Sequence, residues 1–398
     1  MRSLLLFECK KLLHQRYLLF FTVLLLFVNG CNIYLHYDLL LTPEKTLLGE
    51  DVSKIDIIRL RMDRDVHGII NSEKLQKLQQ HYRDTSAMVN GEIREQVELY
   101  FPIPYTDMVI TKEILDEMER LYTYEQAIVQ PLQEKNTALK EQAQMVGDLY
   151  GMRSAKRVEF SYSGRNISAY ERVNEFEPLL SYHLSALFLL LLCVYCASNL
   201  FAGEKETQME DMIRCTPKGA RLIFWIKLLM FAMLCLTLGL LFFSQDLFMF
   251  WLCRRPSGFL LPIYALKDWA YTPLNCSILS FFILLSFLKV LAAWLIGILV
   301  LLFSVLFQKA YQAFVAGFLA VVALMTLSLF TDGVFHVVRW FNPMSLFIAD
   351  RLFETLRLEN VIGYPFPLSS LAVAGSTLFG GILLFAAQRL YQRRQGAC

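Results

Sequence analysis

Six apolar runs restrict the possible folds of this sequence more than any other feature does. They lie at about 17–36, 179–202, 222–243, 276–307, 310–330 and 368–388. An α-helix rises 1.5 Å per residue, so about twenty residues cross a hydrocarbon core of about 30 Å. With 56% hydrophobic residues and 31 Phe among 398 residues, the chain is too apolar for an ordinary soluble protein. The runs therefore predict an all-α polytopic membrane protein with six transmembrane helices.

Charge is segregated along the chain, and this predicts its orientation. Residues 37–178 carry 18 Lys and Arg against 25 Asp and Glu, a net charge of −7, whereas the rest carries 20 against 11, a net of +9. Basic residues crowd the N-terminus, the segment 203–227 and the tail 389–398. By the positive-inside rule, these short basic segments face the cytoplasm. We therefore expect a multi-pass protein of a bacterial cell membrane with both termini cytoplasmic and residues 37–178 extracytoplasmic.

The acidic segment 37–178 is predicted to be a mostly helical domain inserted between spans one and two. Apolar residues from Ile114 to Leu149 follow an alternating four-three spacing, which predicts one stripe of a coiled-coil-like helix. Pro131 interrupts this stripe, so a kink or two consecutive helices are expected. A second stripe from Leu75 to Val97 would complete a helical hairpin. Residues 158–167 alternate in the manner of a small β-hairpin.

The segment 203–221 connects spans two and three and carries too many charges to enter the bilayer core. Its first half has helical character. Thr216, Pro217 and Gly219 then end any helix, because Pro cannot continue the hydrogen-bond ladder and Gly tolerates the following turn. The pattern predicts a short polar helix, a break and a new span.

This connection resembles that of type 2 ATP-binding-cassette (ABC) transporter permeases. The resemblance lies in Phe-Ala-Gly-Glu-Lys-Glu (201–206), Met-Glu-Asp-Met-Ile (209–213), Cys-Thr-Pro-Lys-Gly (215–219) and Ile-Lys-Leu-Leu (226–229). In that family the connection is a coupling helix that docks on a separate ATPase subunit. The resemblance implies coupling residues Glu204, Glu206, Met209, Glu210, Met212, Ile213, Pro217 and Lys218. A plain solvated loop is the alternative.

The resemblance also bears on other parts of the chain. Residues 1–36 would hold an interfacial elbow helix and the first span, since residues 1–16 form an amphipathic pattern with a basic face. Residues 179–388 would hold spans two to six. The segment 334–364 would form outer re-entrant helices at Asn342 and Pro343. Residues 389–398 would be a cytoplasmic tail.

Three polar residues inside the apolar runs are candidates for a transport path: Asn29, Asn32 and Lys289. The two Asn residues can instead satisfy hydrogen bonds between helices. A lysine at mid-membrane costs roughly 2.5 to 3.5 kcal/mol on insertion scales. Lys289 must therefore extend to the outer interface, line a polar path, or pair with Asp246 or Asp268.

Catalytic motifs are missing from the sequence. It contains no G-x-x-x-x-G-K-[ST] phosphate loop, no H-E-x-x-H and no G-x-S-x-G, and its nine Cys have no metal-like spacing. We therefore expect no enzyme activity and no cofactor in this chain, with ATP and Mg²⁺ bound by a partner ATPase. The other expected partners are membrane lipid and a second permease copy or paralogue, with no nucleic acid.

The resemblance implies an exporter subunit. Family members with a large first outer loop are often associated with drugs, peptides or lipids, so an amphipathic substrate such as an antimicrobial peptide is the first expectation. A membrane-anchored sensor or assembly scaffold, whose outer helical hairpin binds an extracellular ligand, is the alternative.

Overall fold

The computed structural model describes residues 16–39, 66–90, 103–171, 173–208, 219–254, 256–329 and 338–396. Within these ranges six helices are long and apolar enough to cross a membrane, which confirms the predicted number. Spans 1 to 6 run Arg16–Leu39, Leu184–Glu206, Gly219–Arg254, Ile278–Leu306, Ala310–Leu329 and Leu368–Gly396. The N-terminal residues predicted to form an elbow helix lie outside the described ranges, apart from the start of span 1.

Two spans are longer than predicted. The apolar run predicts an end of span 3 at about Phe243, or an extension to Trp251, and the helix continues to Arg254. Span 6 continues to Gly396, through most of the predicted tail 389–398. Both extensions exceed the roughly twenty residues that a bilayer requires, so their ends extend beyond the hydrocarbon core.

Spans 2, 3 and 4 form the centre of the bundle. About 67% of the apolar window of span 2 is buried, compared with 17% for span 5 and 22% for span 6. Close approach between spans 3 and 4 depends on glycine: a Cβ at Gly297 would lie 2.2 Å from the ring of Phe231. Small residues at such contacts let membrane helices pack by van der Waals contact. The outward faces of spans 1, 5 and 6 remain available to lipid or another chain.

The inserted domain is mostly helical, as predicted. Its helices are α1 (Ser72–Asn90), α2 (Ile103–Tyr122), α3 (Gln130–Val146) and α4 (Leu149–Tyr162). A π-helical turn at Glu125–Val129 accounts for the interruption expected near Pro131. Helix α1 packs on α2 and α3 packs on α4, so the domain contains two helical hairpins rather than one.

A small antiparallel ladder closes the domain. Strand β1 (Gly68–Ile69) pairs with β2 (Ala169–Tyr170). The β-hairpin predicted for residues 158–167 is wrong, because α4 continues to Tyr162. Only three alternating positions supported that prediction, and helix α4 is stabilised by Asp148, whose side chain accepts a hydrogen bond from the N–H of Tyr150 at its N-terminus.

The connection between spans 5 and 6 is helical only in its first half. After residues 330–337, which are not described, short helices occupy Val338–Phe341, Pro343–Leu346 and Ala349–Phe353. Strands β3 (Leu358–Val361) and β4 (Tyr364–Pro367) then form a hairpin. The prediction of helices throughout 334–364 is therefore wrong beyond residue 353.

Three further short helices lie at the domain and the span 3–4 connection: Asn174–Phe176, Glu177–Leu180 and Ile263–Ala265. The helical domain packs on this connection. We call this end of the bundle the domain face, and the opposite end, where residues 207–218 join spans 2 and 3, the loop face.

Candidate coupling site

A buried ion pair lies at the loop face, where span 2 ends and span 3 begins. Glu204 in the last turn of span 2 accepts a hydrogen bond from the ammonium group of Lys227 in span 3, and both side chains are buried. The Lys227 Nζ also donates to the carbonyl of Leu200 at 2.8 Å and lies 4.6 Å from the ring centroid of Phe201. Hydrogen bonds to both charges offset their desolvation, which makes such a pair tolerable inside a protein. The two ends of the span 2–3 connection are thereby joined.

The neighbouring lysine joins span 2 to span 4. Lys205 Nζ donates to the carbonyls of Ser304, Val305 and Phe307 at 3.0, 2.6 and 3.0 Å. These carbonyls lie at the C-terminal end of span 4, where a helix leaves its last acceptors without partners and carries partial negative charge. Lys205 therefore caps span 4 from the end of span 2.

Ser304 of span 4 also joins spans 2 and 4. Its hydroxyl donates to the Ser198 carbonyl at 2.8 Å and accepts from the N–H groups of Phe201 and Ala202 at 3.1 and 2.9 Å. The hydroxyl of a span 4 residue is thus inserted among the backbone groups of span 2. Ser304 is fully buried, so these bonds do not compete with water.

An aromatic cluster packs span 6 against the ends of spans 2 and 3 at the loop face. The rings of Phe201 and Phe224 stack at 5.7 Å, and Tyr391 of span 6 lies 5.0 Å from Phe201 and 5.7 Å from Phe224. Aromatic pairs at these separations add attraction beyond burial of their area. The end of span 2 consequently contacts spans 3, 4 and 6 within about one helical turn.

The chain leaves the bundle at a defined point. The Thr207 hydroxyl donates to the carbonyl of Gly203 at 3.0 Å, and Gln208 adopts the left-handed region with φ of 55°. Of the predicted coupling residues, Glu204 is buried and Glu206 is exposed. The others lie outside the described residues: Met209, Glu210, Met212, Ile213, Pro217 and Lys218.

Lys205, Ser304 and Tyr391 were not among the residues singled out from the sequence. A serine in an apolar run and a lysine at the end of one are the only signals they give. Both features are common in membrane helices, so the sequence does not show that Lys205 and Ser304 lie next to each other.

A second polar cluster lies toward the domain face and contains both predicted path asparagines. Asn29 of span 1 donates to Asp246 of span 3 at 2.7 Å and accepts from the Tyr182 hydroxyl at 2.8 Å. Asn32 accepts from the same hydroxyl at 3.3 Å, and Gln245 donates to the carbonyl of Leu26 at 2.7 Å. The two asparagines therefore join spans 1 and 3 to the start of span 2.

Lys289 belongs to the same region and is buried in span 4. Its ammonium donates to the carbonyl of Tyr182 at 2.9 Å and lies in electrostatic range of Asp350 and Asp246. Among the described residues Lys289 forms no ion pair closer than 4 Å with Asp246 or Asp268. Asp350 itself lies 3.5 Å from the Nε2 atom of His183. Lys289 thus ties span 4 to span 2 rather than extending into solvent.

Asn342 and Pro343, the predicted re-entrant element, are buried between spans 5 and 6. The Asn342 side chain accepts from the N–H of Met344 at 3.0 Å, which caps the short helix that begins at Pro343. It also donates to the Leu324 carbonyl of span 5 at 2.9 Å. The element is therefore fixed to the bundle.

The helical domain is held on the span 3–4 connection by a buried arginine. Arg165 donates to the carbonyls of Thr272 and Leu274 at 2.7 and 3.4 Å. Its guanidinium lies 4.5 and 4.9 Å from the ring centroids of Tyr162 and Tyr264. Burial raises the pKa of both tyrosines, while the positive charge of Arg165 opposes the shift. Both hydroxyls therefore remain protonated donors at neutral pH.

The polar side chains of both clusters are bonded mainly to backbone and side chains of neighbouring helices. Within the described residues, no group of three or more His, Cys, Asp and Glu could hold a metal ion. The six long apolar helices define a polytopic membrane protein, in which the end of span 2 is bonded to spans 3 and 4 and packs on span 6.

The comparisons give the family. The model for ABC-2 family transporter proteins matches residues 57–351, which is more than half of the chain. The chain belongs to the ABC-2 transporter family, and the resemblance seen in the span 2–3 connection is confirmed. No curated protein and no solved structure matches it significantly.

Family membership establishes the general role. The chain is a permease subunit of an ABC transporter and a multi-pass membrane protein. Members of this family associate with an ABC ATPase, and the membrane subunit is generally not catalytic itself.

Proposed function

We propose that this chain is the permease subunit of an ATP-driven exporter that moves an amphipathic substrate outward. A separate ATPase subunit binds ATP and Mg²⁺ and hydrolyses the nucleotide. Residues 204–218 receive the movement of that subunit. In this arrangement the loop face is cytoplasmic, as are both termini, and residues 37–178 are extracytoplasmic.

The observation that carries the proposal is the set of bonds at the end of span 2. Glu204 contacts Lys227 of span 3, and Lys205 contacts the last carbonyls of span 4. A force applied to the connection is therefore applied to three spans at once. A merely solvated loop needs no buried ion pair at its base, since an ion pair in a dry interior costs desolvation energy.

Glu204 acts in this proposal as a positioning residue, since its carboxylate is occupied by Lys227 inside the bundle. The exposed part of the connection, beginning at Glu206, provides the contact with the ATPase. The six undescribed coupling residues from Met209 to Lys218 complete that contact.

The amphipathic substrate is supported by the surface of the helical domain. A groove of about 390 Å³ lies between α3 and α4. Leu139, Val146, Asp148 and Tyr150 are among the residues that line it, and Leu149 beside it is exposed. Apolar side chains next to polar groups suit a molecule that has both kinds of surface.

A second permease copy or a paralogue, together with lipid, covers the exposed faces of spans 1, 5 and 6 in this proposal. The low burial of their apolar windows supports it. A side chain such as Phe385 of span 6 or Phe27 of span 1 is exposed in the single chain and apolar enough for either neighbour.

Co-purification tests the proposal. The tagged protein is extracted from native membranes in mild detergent, bound partners are identified by mass spectrometry, and ATP hydrolysis is measured. We expect an ABC ATPase to co-purify with the wild type and with Leu260→Asp, an exposed domain-face control. Met209→Asp should lose it. Retention by Met209→Asp, or absence of any nucleotide-binding partner from the wild type, would contradict the proposal.

A further inference from the structure

We propose that Lys205 and Ser304 make spans 2 and 4 a single moving unit, so that movement of the span 2–3 connection reaches span 4 without passing through span 3. This inference rests on the proposed coupling function and names the residues that carry the movement onward. Both residues are positioning residues, since they act through the helices that they join.

The first argument is the number and kind of bonds at the loop face. Lys205 donates to three backbone carbonyls at the end of span 4, and the shortest of these bonds, to Val305, is 2.6 Å long. A cation at a helix C-terminus also gains from the helix dipole. These charge-assisted bonds hold their geometry more firmly than neutral ones do. The end of span 4 therefore follows the last turn of span 2.

The second argument is the direction of the Ser304 bonds. Its hydroxyl accepts from two N–H groups of span 2 and donates to a carbonyl one turn earlier, at Ser198. Sliding span 4 along span 2 would break all three bonds together. With no water available in this buried position, the Ser304 hydroxyl would be left without partners. Relative sliding is thus opposed, whereas joint movement is free.

The third argument is a matching bond at the domain face. Lys289 of span 4 donates to the Tyr182 carbonyl, just before span 2 begins. Spans 2 and 4 run in the same direction. Lys205 therefore joins them at the loop face and Lys289 joins them at the domain face. Span 3 is joined to span 2 by the ion pair of Glu204 with Lys227 at the loop face, and at the domain face Asp246 bonds to Asn29.

The test measures distances within the assembled transporter. Spin labels are placed at two pairs of exposed positions near the domain face, in a background that lacks the other reactive cysteines. The first pair, Leu187→Cys with Ile283→Cys, spans helices 2 and 4. The second pair, Leu327→Cys with Ile283→Cys, measures span 4 against span 5, because span 1 is bonded to Tyr182 in the same cluster as Lys289. Distances are recorded with the co-purified ATPase, with and without ATP and vanadate.

In the otherwise wild-type chain the first distance should stay constant while the second changes on trapping with ATP and vanadate. In complexes that still contain the ATPase, Lys205→Met should lose the change in the second distance. Lys205→Arg, which retains a cationic donor, should restore it. Lys309→Met is the matched control, since Lys309 lies in the span 4–5 turn and its ammonium lies 5.9 Å from the ring centroid of Tyr311. It should behave as wild type.

Two results would overturn the inference. One is a Lys205→Met protein in which span 4 still moves as in the wild type, and the other is a wild type in which both distances change equally. If Lys205→Met does not fold, Ser304→Ala removes a single hydroxyl and gives the same test. Failure of the coupling function is seen earlier, as absence of an ATPase from the purified wild type.

Discussion

Glu204 and Lys227 form an ion pair with only 7% and 1% of their side-chain surfaces exposed, although they lie on either side of a strongly charged connection. The pair joins the end of span 2 to the first part of span 3. Spans 2 and 3 therefore cannot separate at the loop face without placing two charges in an apolar interior. The cost of such a separation holds the ends of spans 2 and 3 together at the loop face.

Removing one member of this pair should destabilise the protein strongly. For Glu204→Ala we expect a loss of about 3–5 kcal/mol, since Lys227 would be left as an uncompensated buried charge. Thermal unfolding in detergent measures the effect. The double variant Glu204→Gln with Lys227→Met should recover most of the loss, because no buried charge remains.

Glu206→Gln provides the matched control for stability, since that carboxylate is exposed two residues further on. Its unfolding temperature should equal that of the wild type. Equal destabilisation by Glu204→Ala and Glu206→Gln would show that burial of the pair has no energetic consequence.

Arg165 should be required for docking of the helical domain. Arg165→Ala removes two hydrogen bonds to the span 3–4 connection and two cation–π contacts, for an expected loss of about 2–4 kcal/mol. Hydrogen exchange should then increase in residues 256–277 and not in spans 5 and 6. Arg157→Ala, at an exposed arginine of helix α4, is the control, and an identical exchange pattern in both variants would contradict the docking role.

The β3–β4 hairpin should become more stable when Ile362 is replaced. Ile362 and Gly363 have φ of 54° and 78°, which fits a type I′ turn, and a β-branched residue is disfavoured there. Ile362→Asn creates the Asn-Gly pair that such turns prefer, and 94% exposure means that little packing is lost. We expect a gain of about 1 kcal/mol. A lower unfolding temperature would show that the exposed Ile362 side chain contributes a stabilising contact.

The two asparagines of span 1 should differ in importance. Asn29→Ala removes the 2.7 Å hydrogen bond to the buried Asp246 and the 2.8 Å hydrogen bond from the Tyr182 hydroxyl, at about 1–3 kcal/mol per bond. Asn32→Ala removes one weaker bond at an exposed position and should cost well under 1 kcal/mol. Thermal unfolding of the two variants compares them. Equal stability of both, combined with loss of transport in Asn29→Ala, would instead favour a direct role of Asn29 in the transport path.

The membrane spans could be predicted because length and hydropathy determine them. A bilayer requires every backbone polar group to be bonded within the segment, so a long apolar run has no alternative to a helix. The charge-rich segment at 203–227 had no place within the bilayer. These constraints act on single segments and are visible without the tertiary structure.

The β-hairpins could not be predicted reliably because their sequence signals are short and ambiguous. The true hairpin turn at Ile362–Gly363 lacks the Asn or Asp that usually signals a type I′ turn. The alternating residues Val158, Phe160 and Tyr162 suggested strands but lie on a helix, where a run this short is compatible with either structure. Short segments take their conformation from what they pack against.

The contacts of the coupling site were hidden for another reason. Lys205 stands beside Glu204 in a segment that contains nine charged residues, and nothing local distinguishes the one that caps span 4. Ser304 lies 99 residues further along the chain, in a run where a serine is unremarkable. Only the packing of spans 2 and 4 shows that they meet.

The central claim is that the span 2–3 connection contacts an ATPase, and site-specific photo-crosslinking in native membranes tests it most directly. A photoreactive amino acid is placed at Met212 in the connection and, as the control, at Leu260 on the domain face. We predict a crosslinked ABC ATPase at Met212 and none at Leu260. No adduct at Met212, or an equal yield at both positions, would contradict the account.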